Sequence, residues 1–257
     1  FALSIRPQIS TLPFDPSASS SPYARRSIRV RVAFGFQSST TPAAESKQQI
    51  VHMSTPTIAG FSTRWLNDLR GSATFTNGTL TMTAGEKTDW FNPPPVPNSP
   101  AGLANAPALM FSPPPGDSWT LSAKVEIQHK ALFDAGTLFV HQGADDWCKL
   151  CFEMSPEKKP LIVSVVTRGI SDDANGTAID GSAVHLRVSR SGPVIAFHYS
   201  TDGGSYWTLH RLFSLRDPEA PMTVGFLAQA PTGAGCTAAF SQIALSAESV
   251  NDFRDGS

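Results

Sequence analysis

Two strand-like runs joined by a short proline-bounded turn constrain the fold of this chain more than any other feature. Residues 145–154 and 161–169 flank a turn at 156–160, which is typical of a β-hairpin. Strand side chains alternate between two faces, so one face of the first run is apolar and the other mixes an aromatic ring, an amine and a carboxylate. We expect any functional site on the second face. The apolar set is Cys148, Leu150, Phe152 and Met154, and the mixed set is Trp147, Lys149, Cys151 and Glu153.

The same period-two alternation recurs along most of the chain. Asn77-Gly78 between alternating runs predicts a tight hairpin, and the prolines between 93 and 115 exclude a helix there. Ten or more short strands with turn residues every 8–12 positions indicate an all-β sandwich of two antiparallel sheets. The later runs are 119–129, 136–142, 184–190, 194–200, 205–210, 222–230 and 236–246.

Composition excludes several classes of function. The chain has 257 residues, is 16% charged and carries a net charge of −1 without a long basic run, so nucleic acid is not an expected partner. No apolar run reaches the ~18–20 residues of a membrane span, so no membrane partner is expected. Cys148 and Cys151 form a C-x-x-C spacing within a strand, which favours buried thiols over redox or metal chemistry. We expect no cofactor and no metal ion.

The first 52 residues differ from the rest of the chain. They contain six basic and two acidic residues, the balance of an organelle transit peptide. Met53 offers the alternative that 1–52 is an upstream or disordered extension. We expect a single domain at 56–248 with a tail at 249–257. The expected location is the cytoplasm, or a mitochondrion or other organelle if 1–52 is a genuine transit peptide.

Several motifs, in order, resemble the domain-of-unknown-function family 1349, which includes a fungal regulation of enolase protein. The resemblance extends over about 61–245. It implies a concanavalin A-like lectin/glucanase jelly roll and a regulatory role in enolase and galactose metabolism, but it brings no catalytic residues. The motifs are Thr88-Asp89-Trp90-Phe91 ahead of the prolines, Asp146-Trp147-Cys148-Lys149-Leu150-Cys151-Phe152-Glu153, and the segments 165–169, 197–207 and 224–230.

Strand alternation predicts that polar residues of several strands share one hollow face. Hydroxyls of a pyranose need hydrogen-bonding groups and its C–H face packs on an aromatic ring, so such a face suits a carbohydrate. We therefore expect a non-catalytic carbohydrate-binding or regulatory protein, with a carbohydrate or a glycolytic enzyme as partner. Trp90 is expected to be exposed at the rim. The other ligand-binding candidates are Gln128, His141, Trp147, Lys149, Arg187, His198 and Gln229.

Two alternatives stay open for the carboxylates. Glu126 and Glu153 would be the acid pair of a glycoside hydrolase, although its carboxylates would come from separate strands rather than one strand as in the glucanases of this fold. Alternatively, Glu126–Lys149 and Glu153–Arg187 are ion pairs on a solvated face. Residues 172–177 are expected to form a turn rather than a calcium loop.

Overall fold

A computed structural model describes residues 56–58, 60–67 and 70–257, so the predicted leader at 1–52 lies outside the described residues. Eighteen strands follow one another, and no α-helix occurs in this part of the chain. The strands are β1 (Thr57–Ile58), β2 (Phe61–Ser62), β3 (Arg64–Leu66), β4 (Gly71–Thr76), β5 (Thr79–Gly85), β6 (Trp90–Phe91), β7 (Leu103–Ala104), β8 (Ala108–Phe111), β9 (Ser118–Ile127), β10 (Ala135–Gly143), β11 (Asp146–Met154), β12 (Pro160–Arg168), β13 (Ile170–Ala178), β14 (Ala183–Ser191), β15 (Val194–Ser200), β16 (Thr208–Phe213), β17 (Thr223–Gln229) and β18 (Gly235–Ser246).

Fourteen of these strands form two seven-stranded sheets. Sheet I has the order β13-β12-β11-β10-β17-β8-β3, and sheet II has the order β16-β15-β14-β9-β18-β5-β4. Every strand pair in both sheets is antiparallel. The predicted all-β sandwich of two antiparallel sheets is confirmed. Within the described ranges, no helix has the length and apolar character needed to cross a membrane.

The core lies between the two sheets and is built by alternate residues of each strand. Leu121 and Val125 of β9 enter it from sheet II, and Leu150 and Phe152 of β11 enter it from sheet I. Each such side chain contributes roughly 1.5–3 kcal/mol when it leaves water. The opposite residues of each strand therefore point away from the core. We call these the outer face of sheet I and the outer face of sheet II.

The hairpin predicted from 145–169 is β11 and β12. Met154 pairs with Pro160 and Cys148 pairs with Val166, and Lys158 closes the turn with φ of 58°. The difference from expectation is burial, because both faces of β11 are buried rather than one. Cys148 and Cys151 lie on opposite faces as predicted, and both are buried free thiols. Burial raises the pKa of Cys151 to about 12, which keeps it protonated.

Residues 172–177 lie in β13, so the prediction of a turn there is wrong. Val165 pairs with Asp173 and Val163 pairs with Asn175. β13 is the edge strand of sheet I, and its side chains are mostly exposed. An edge strand has little apolar surface to bury, so it lacks the alternation by which strands are found. Asp173 and Asn175 therefore join the outer face of sheet I.

Candidate functional site

The outer face of sheet I carries the mixed residues of β11. Trp147, Lys149, Cys151 and Glu153 all lie there, as strand alternation predicts. Ala135 of β10 pairs with Glu153 on one side and with Gln229 of β17 on the other. Since alanine has only a methyl group, the two longer side chains meet above it. Gln229 Nε2 donates to Glu153 Oε2 at 3.3 Å.

Lys149 is the charged centre of this face. Its side chain is 2% exposed, and Nζ donates to Asp89 Oδ1 at 2.9 Å and to Gln229 Oε1 at 2.8 Å. Burial alone would lower the pKa of Lys149, but Asp89, Cys151 and Glu153 together raise it above its ordinary value. The ammonium is therefore retained, and Asp89 is its counter-ion.

Glu153 is a buried carboxyl group on the same face. Burial is the main cause that raises its pKa to about 8, and Asp89 and Asp173 add to this effect while Lys149 opposes it. At neutral pH the group is therefore mostly protonated. A protonated carboxyl donates one hydrogen bond and still accepts others.

A cavity of about 420 Å³ opens above these residues, within the range of small-molecule sites. Seven polar residues, Ser155 among them, line it together with several apolar ones. The polar residues include Asp89, Lys149, Glu153, Asp173, Asn175 and Gln229. The apolar residues are Phe91, Phe133, Val163, Val165, Pro100 and Pro156.

Phe133 is held at the cavity in a strained conformation. Its φ of 66° is in the left-handed region, which a bulky side chain rarely adopts. Its amide donates to the Met154 carbonyl at 2.8 Å, and its own carbonyl accepts from Gln229 Nε2 at 3.1 Å. Such strain costs on the order of 1–3 kcal/mol and is often found at ligand sites. The same amide of Gln229 thus fixes both Glu153 and the loop that carries the Phe133 ring.

An aromatic cluster lies beside the cavity on the same outer face. Trp90 is 3% exposed, so its predicted exposure at a rim is wrong. Its ring contacts Phe139 at 5.0 Å, His141 at 5.3 Å and Trp147 at 5.6 Å between centroids, and its indole Nε1 donates to the Ala106 carbonyl. The strand β6 places Trp90 against the outer face of sheet I, and the local sequence did not indicate this packing. Burial, with a smaller effect of Arg64, lowers the pKa of His141.

Three predicted site residues lie on the other side of the molecule. Glu126 of β9, Arg187 of β14 and His198 of β15 belong to sheet II, and their neighbours in each strand enter the core between the sheets. Glu126 is 57% exposed beside Lys124. The prediction that these three share a face with Glu153 is therefore wrong. Alternation shows only that a residue points outward, and it does not show from which sheet.

This placement excludes two earlier interpretations. Glu126 and Glu153 stand on opposite outer faces, so they cannot flank one glycosidic bond. Neither predicted ion pair forms, because Lys149 pairs with Asp89 and Arg187 hydrogen-bonds Gly256. Gln128 follows β9 and is exposed, away from the residues that line the cavity.

The segment 249–257 covers Arg187 and His198. Arg187 Nη2 donates to the Gly256 carbonyl at 2.7 Å, and its guanidinium lies 4.3 Å from the centroid of the Trp207 ring. His198 Nε2 donates to the Phe253 carbonyl at 2.9 Å. Burial lowers the pKa of Arg187 to about 10 and that of His198, helped by Arg187, to about 4. His198 is thus neutral under this cover.

The sequence did not identify Asp89, Phe133, Asp173 or Asn175 as site residues. Asp89 lies 60 positions from Lys149, which it neutralises. A signal was present for Asp89, because an acidic residue directly precedes the Trp90-Phe91 strand in the motif. The sequence shows the acidic residues Asp172 and Asp173, but the segment 172–177 was predicted to form a turn. Among the described residues, no group of three or more histidine, cysteine or acidic side chains is placed to hold a metal ion.

A sequence model of the family described as "Protein of unknown function (DUF1349)" matches residues 65–248. The chain belongs to this family. No protein with a curated description matches its sequence. A functionally unknown protein from Saccharomyces cerevisiae is similar in structure, with 25% identity and a TM-score of 0.61 over 72% of this chain and 96% of that one.

Two solved glycoside hydrolases share the fold of this family member at low identity. A xylan β-1,4-xylosidase from Bacillus halodurans is 12% identical, with a TM-score of 0.53 over 68% of this chain and 38% of the enzyme. The GH43 protein BlXynB from Bacillus licheniformis is 15% identical, with a TM-score of 0.56 over 71% of this chain and 36% of the enzyme. The chain spans little more than a third of either enzyme, and the likeness shows the fold alone.

Proposed function

We propose that the chain is a non-catalytic carbohydrate-binding protein that holds a saccharide in the cavity on the outer face of sheet I. The observation that carries the proposal is the composition of that cavity. Lys149, Glu153 and Gln229 offer hydrogen-bonding groups in a fixed arrangement, while Phe91 and Phe133 offer aromatic rings. Sugars require both kinds of surface, because hydroxyls and a C–H face alternate around a pyranose ring.

The pre-arranged polar groups favour binding over a structural role. The amide of Gln229 joins Lys149, Glu153 and the Phe133 carbonyl, so three elements are locked together before a ligand arrives. A preorganised site loses less conformational entropy on binding. The strain at Phe133 supports the same interpretation, because strain is retained where it positions a group.

The wider biological role belongs to the same proposal. By resemblance to the fungal regulation of enolase protein, ligand binding would regulate a glycolytic or galactose-metabolising enzyme in the cytoplasm. The two solved hydrolases bear names of carbohydrate-active enzymes, but no activity is transferred from them. An association of this chain with enolase that responds to a sugar would support the role.

The test is a saccharide titration followed by calorimetry and by NMR of the cavity residues. A panel of neutral mono- and oligosaccharides should contain at least one that binds and shifts the signals of Phe91 and Phe133. Phe91→Leu removes one ring and should weaken that binding by about tenfold, a difference of about 1.4 kcal/mol. The control is Glu126→Gln on the outer face of sheet II, which should leave binding unchanged. If no saccharide of the panel binds, the proposal is contradicted.

A glycoside hydrolase is the second candidate, and the raised pKa of Glu153 favours it. A carboxyl with a pKa of about 8 suits a general acid, and Asp173 lines the same cavity as a second carboxylate. In that case Glu153→Gln should abolish turnover of a polysaccharide while leaving substrate binding intact. Turnover that survives Glu153→Gln would reject this role.

A further inference from the structure

The charges around the cavity are unevenly balanced. Asp89 and Asp173 bring two carboxylates to its lining and Glu153 brings a protonated carboxyl group, whereas Lys149 brings a single ammonium. No arginine or histidine is present among the described residues that line it. Sites that bind phosphate or carboxylate groups usually offer arginine or several unpaired N–H donors. This lining offers the opposite sign of charge.

The one cation is already engaged. Lys149 Nζ lies 2.9 Å from Asp89 Oδ1 and 2.8 Å from Gln229 Oε1, so two of its three N–H donors are used. An anionic ligand would have to draw the ammonium from Asp89 and leave that carboxylate without its counter-ion. Removing one partner of a desolvated pair is costly, so this exchange is unfavourable.

Asp173 places a further negative charge at the mouth of the cavity. Its strand β13 is the edge of sheet I, and the side chain is exposed while still lining the cavity. An incoming anion therefore meets like charge before it reaches Lys149. A neutral saccharide meets no such barrier, and its hydroxyls donate to carboxylates and accept from amides.

We infer that the cavity selects uncharged saccharides and rejects their phosphorylated and carboxylated counterparts. This inference rests on the proposed function and narrows its ligand class. According to this inference, the ligand is a free sugar or a neutral glycan and not a sugar phosphate or a uronate. The recognising groups are the carboxyl oxygens of Glu153 and Asp173, the side-chain amide of Asn175 and the side-chain oxygen of Gln229, whose two N–H donors are already engaged.

The experiment compares matched ligands on the intact chain at one pH and one salt concentration. The series are galactose, galacturonate and galactose 6-phosphate, and glucose, glucuronate and glucose 6-phosphate. Within a series that binds, both anions should bind at least about tenfold more weakly than the neutral sugar, which corresponds to about 1.4 kcal/mol. Equal or tighter binding of an anion would overturn the inference and leave the proposed function standing. If neither series binds, the comparison is made between a neutral oligosaccharide that binds in the panel and its uronate counterpart, and silence of the whole panel would overturn both proposals.

A charge variant makes the same test within the protein. Asp173→Asn removes the charge and keeps the shape of the side chain, so it should reduce the difference in affinity between neutral sugar and anion by several fold. Asp172→Asn is the matched control, because it makes the same change of charge one residue earlier on β13, where the side chain pairs with Arg211 instead of lining the cavity. The inference would be contradicted if Asp173→Asn left the difference in affinity between neutral sugar and anion unchanged, or if Asp172→Asn reduced that difference equally.

Discussion

The two outer faces of the sandwich start from similar residues and end differently. The outer face of sheet I carries Lys149 and Glu153, and the outer face of sheet II carries Arg187 and His198. On sheet I the polar side chains bind one another and leave a cavity of about 420 Å³ beside two aromatic rings. On sheet II the polar side chains bind the backbone carbonyls of Phe253 and Gly256.

The difference shows that the covering segment decides what a polar sheet face becomes. Over sheet I the cover is β6 and its flanking loop, which supplies a charged side chain, Asp89, and leaves room. Over sheet II the cover is the segment 249–257, which supplies carbonyl groups and fits closely. A buried cation needs a partner in either case. The first arrangement leaves a cavity in which a ligand can reach these polar groups.

The sharpest way to break the arrangement on sheet I is to remove the counter-ion. Asp89→Asn leaves the Lys149 ammonium buried without its carboxylate and should lower the free energy of unfolding by about 3 kcal/mol. Urea unfolding monitored by tryptophan fluorescence measures it. Asp172→Asn, which breaks the exposed pair with Arg211, should cost about 0.5 kcal/mol or less. A double variant with Lys149→Met should recover part of the loss, and no recovery would contradict the pairing.

The pH dependence of stability tests the protonation of Glu153. Its pKa is higher in the folded state, at about 8, than its ordinary value of 4.5. The folded state therefore binds the proton more tightly, so this stabilisation is complete below 4.5 and is lost as the pH rises through about 8. Between these values wild type should lose stability relative to Glu153→Gln by at most about 1.4 kcal/mol per pH unit. Parallel stability profiles of the two proteins would show that the pKa of Glu153 is not raised in the folded state.

The close fit on sheet II is tested at a glycine. Gly256 has φ of +76°, and a Cβ there would lie 2.8 Å from Arg187 Nη2 and 2.8 Å from Trp207 Cβ. Gly256→Ala should therefore release the segment 249–257, at a cost of about 1–2 kcal/mol. Gly78→Ala is the matched control, because Gly78 has φ of +75° but nothing within 4 Å of its Cβ position.

The readout for that release is the His198 ring, followed by NMR. Once uncovered, its pKa should rise from about 4 towards the ordinary 6.5, while the Gly78→Ala protein keeps the low value. Saccharide binding on sheet I should be unchanged. A low pKa of His198 that persists in Gly256→Ala would show that the segment is not what buries the ring.

The smallest effect is expected at Glu126. It is exposed and faces only Lys124 at 3.7 Å, so Glu126→Gln should change the free energy of unfolding by less than about 0.5 kcal/mol. Chemical denaturation of the two proteins side by side measures this. A larger loss of stability would mean that the outer face of sheet II has a role besides being covered by the segment 249–257.

The local features of the sequence determined most of the strands and their inward faces. The hairpin of β11 and β12, the separation of Cys148 from Cys151 and the outward direction of Lys149 and Glu153 all follow from a period of two. These predictions needed no knowledge of distant segments. The strand β13 was not predicted, because an edge strand buries too few side chains to show the alternation.

Only the tertiary structure decided which outward residues meet. Alternation gives the direction of a side chain relative to its own sheet, so it placed Glu126, Arg187 and His198 beside Glu153 although they belong to sheet II. Asp89 reaches Lys149 across 60 positions of the chain, and Phe253 reaches His198 across 55. Such contacts depend on how the sheets and their covers assemble, and that assembly is set by burial summed over the whole domain rather than by any local run of residues.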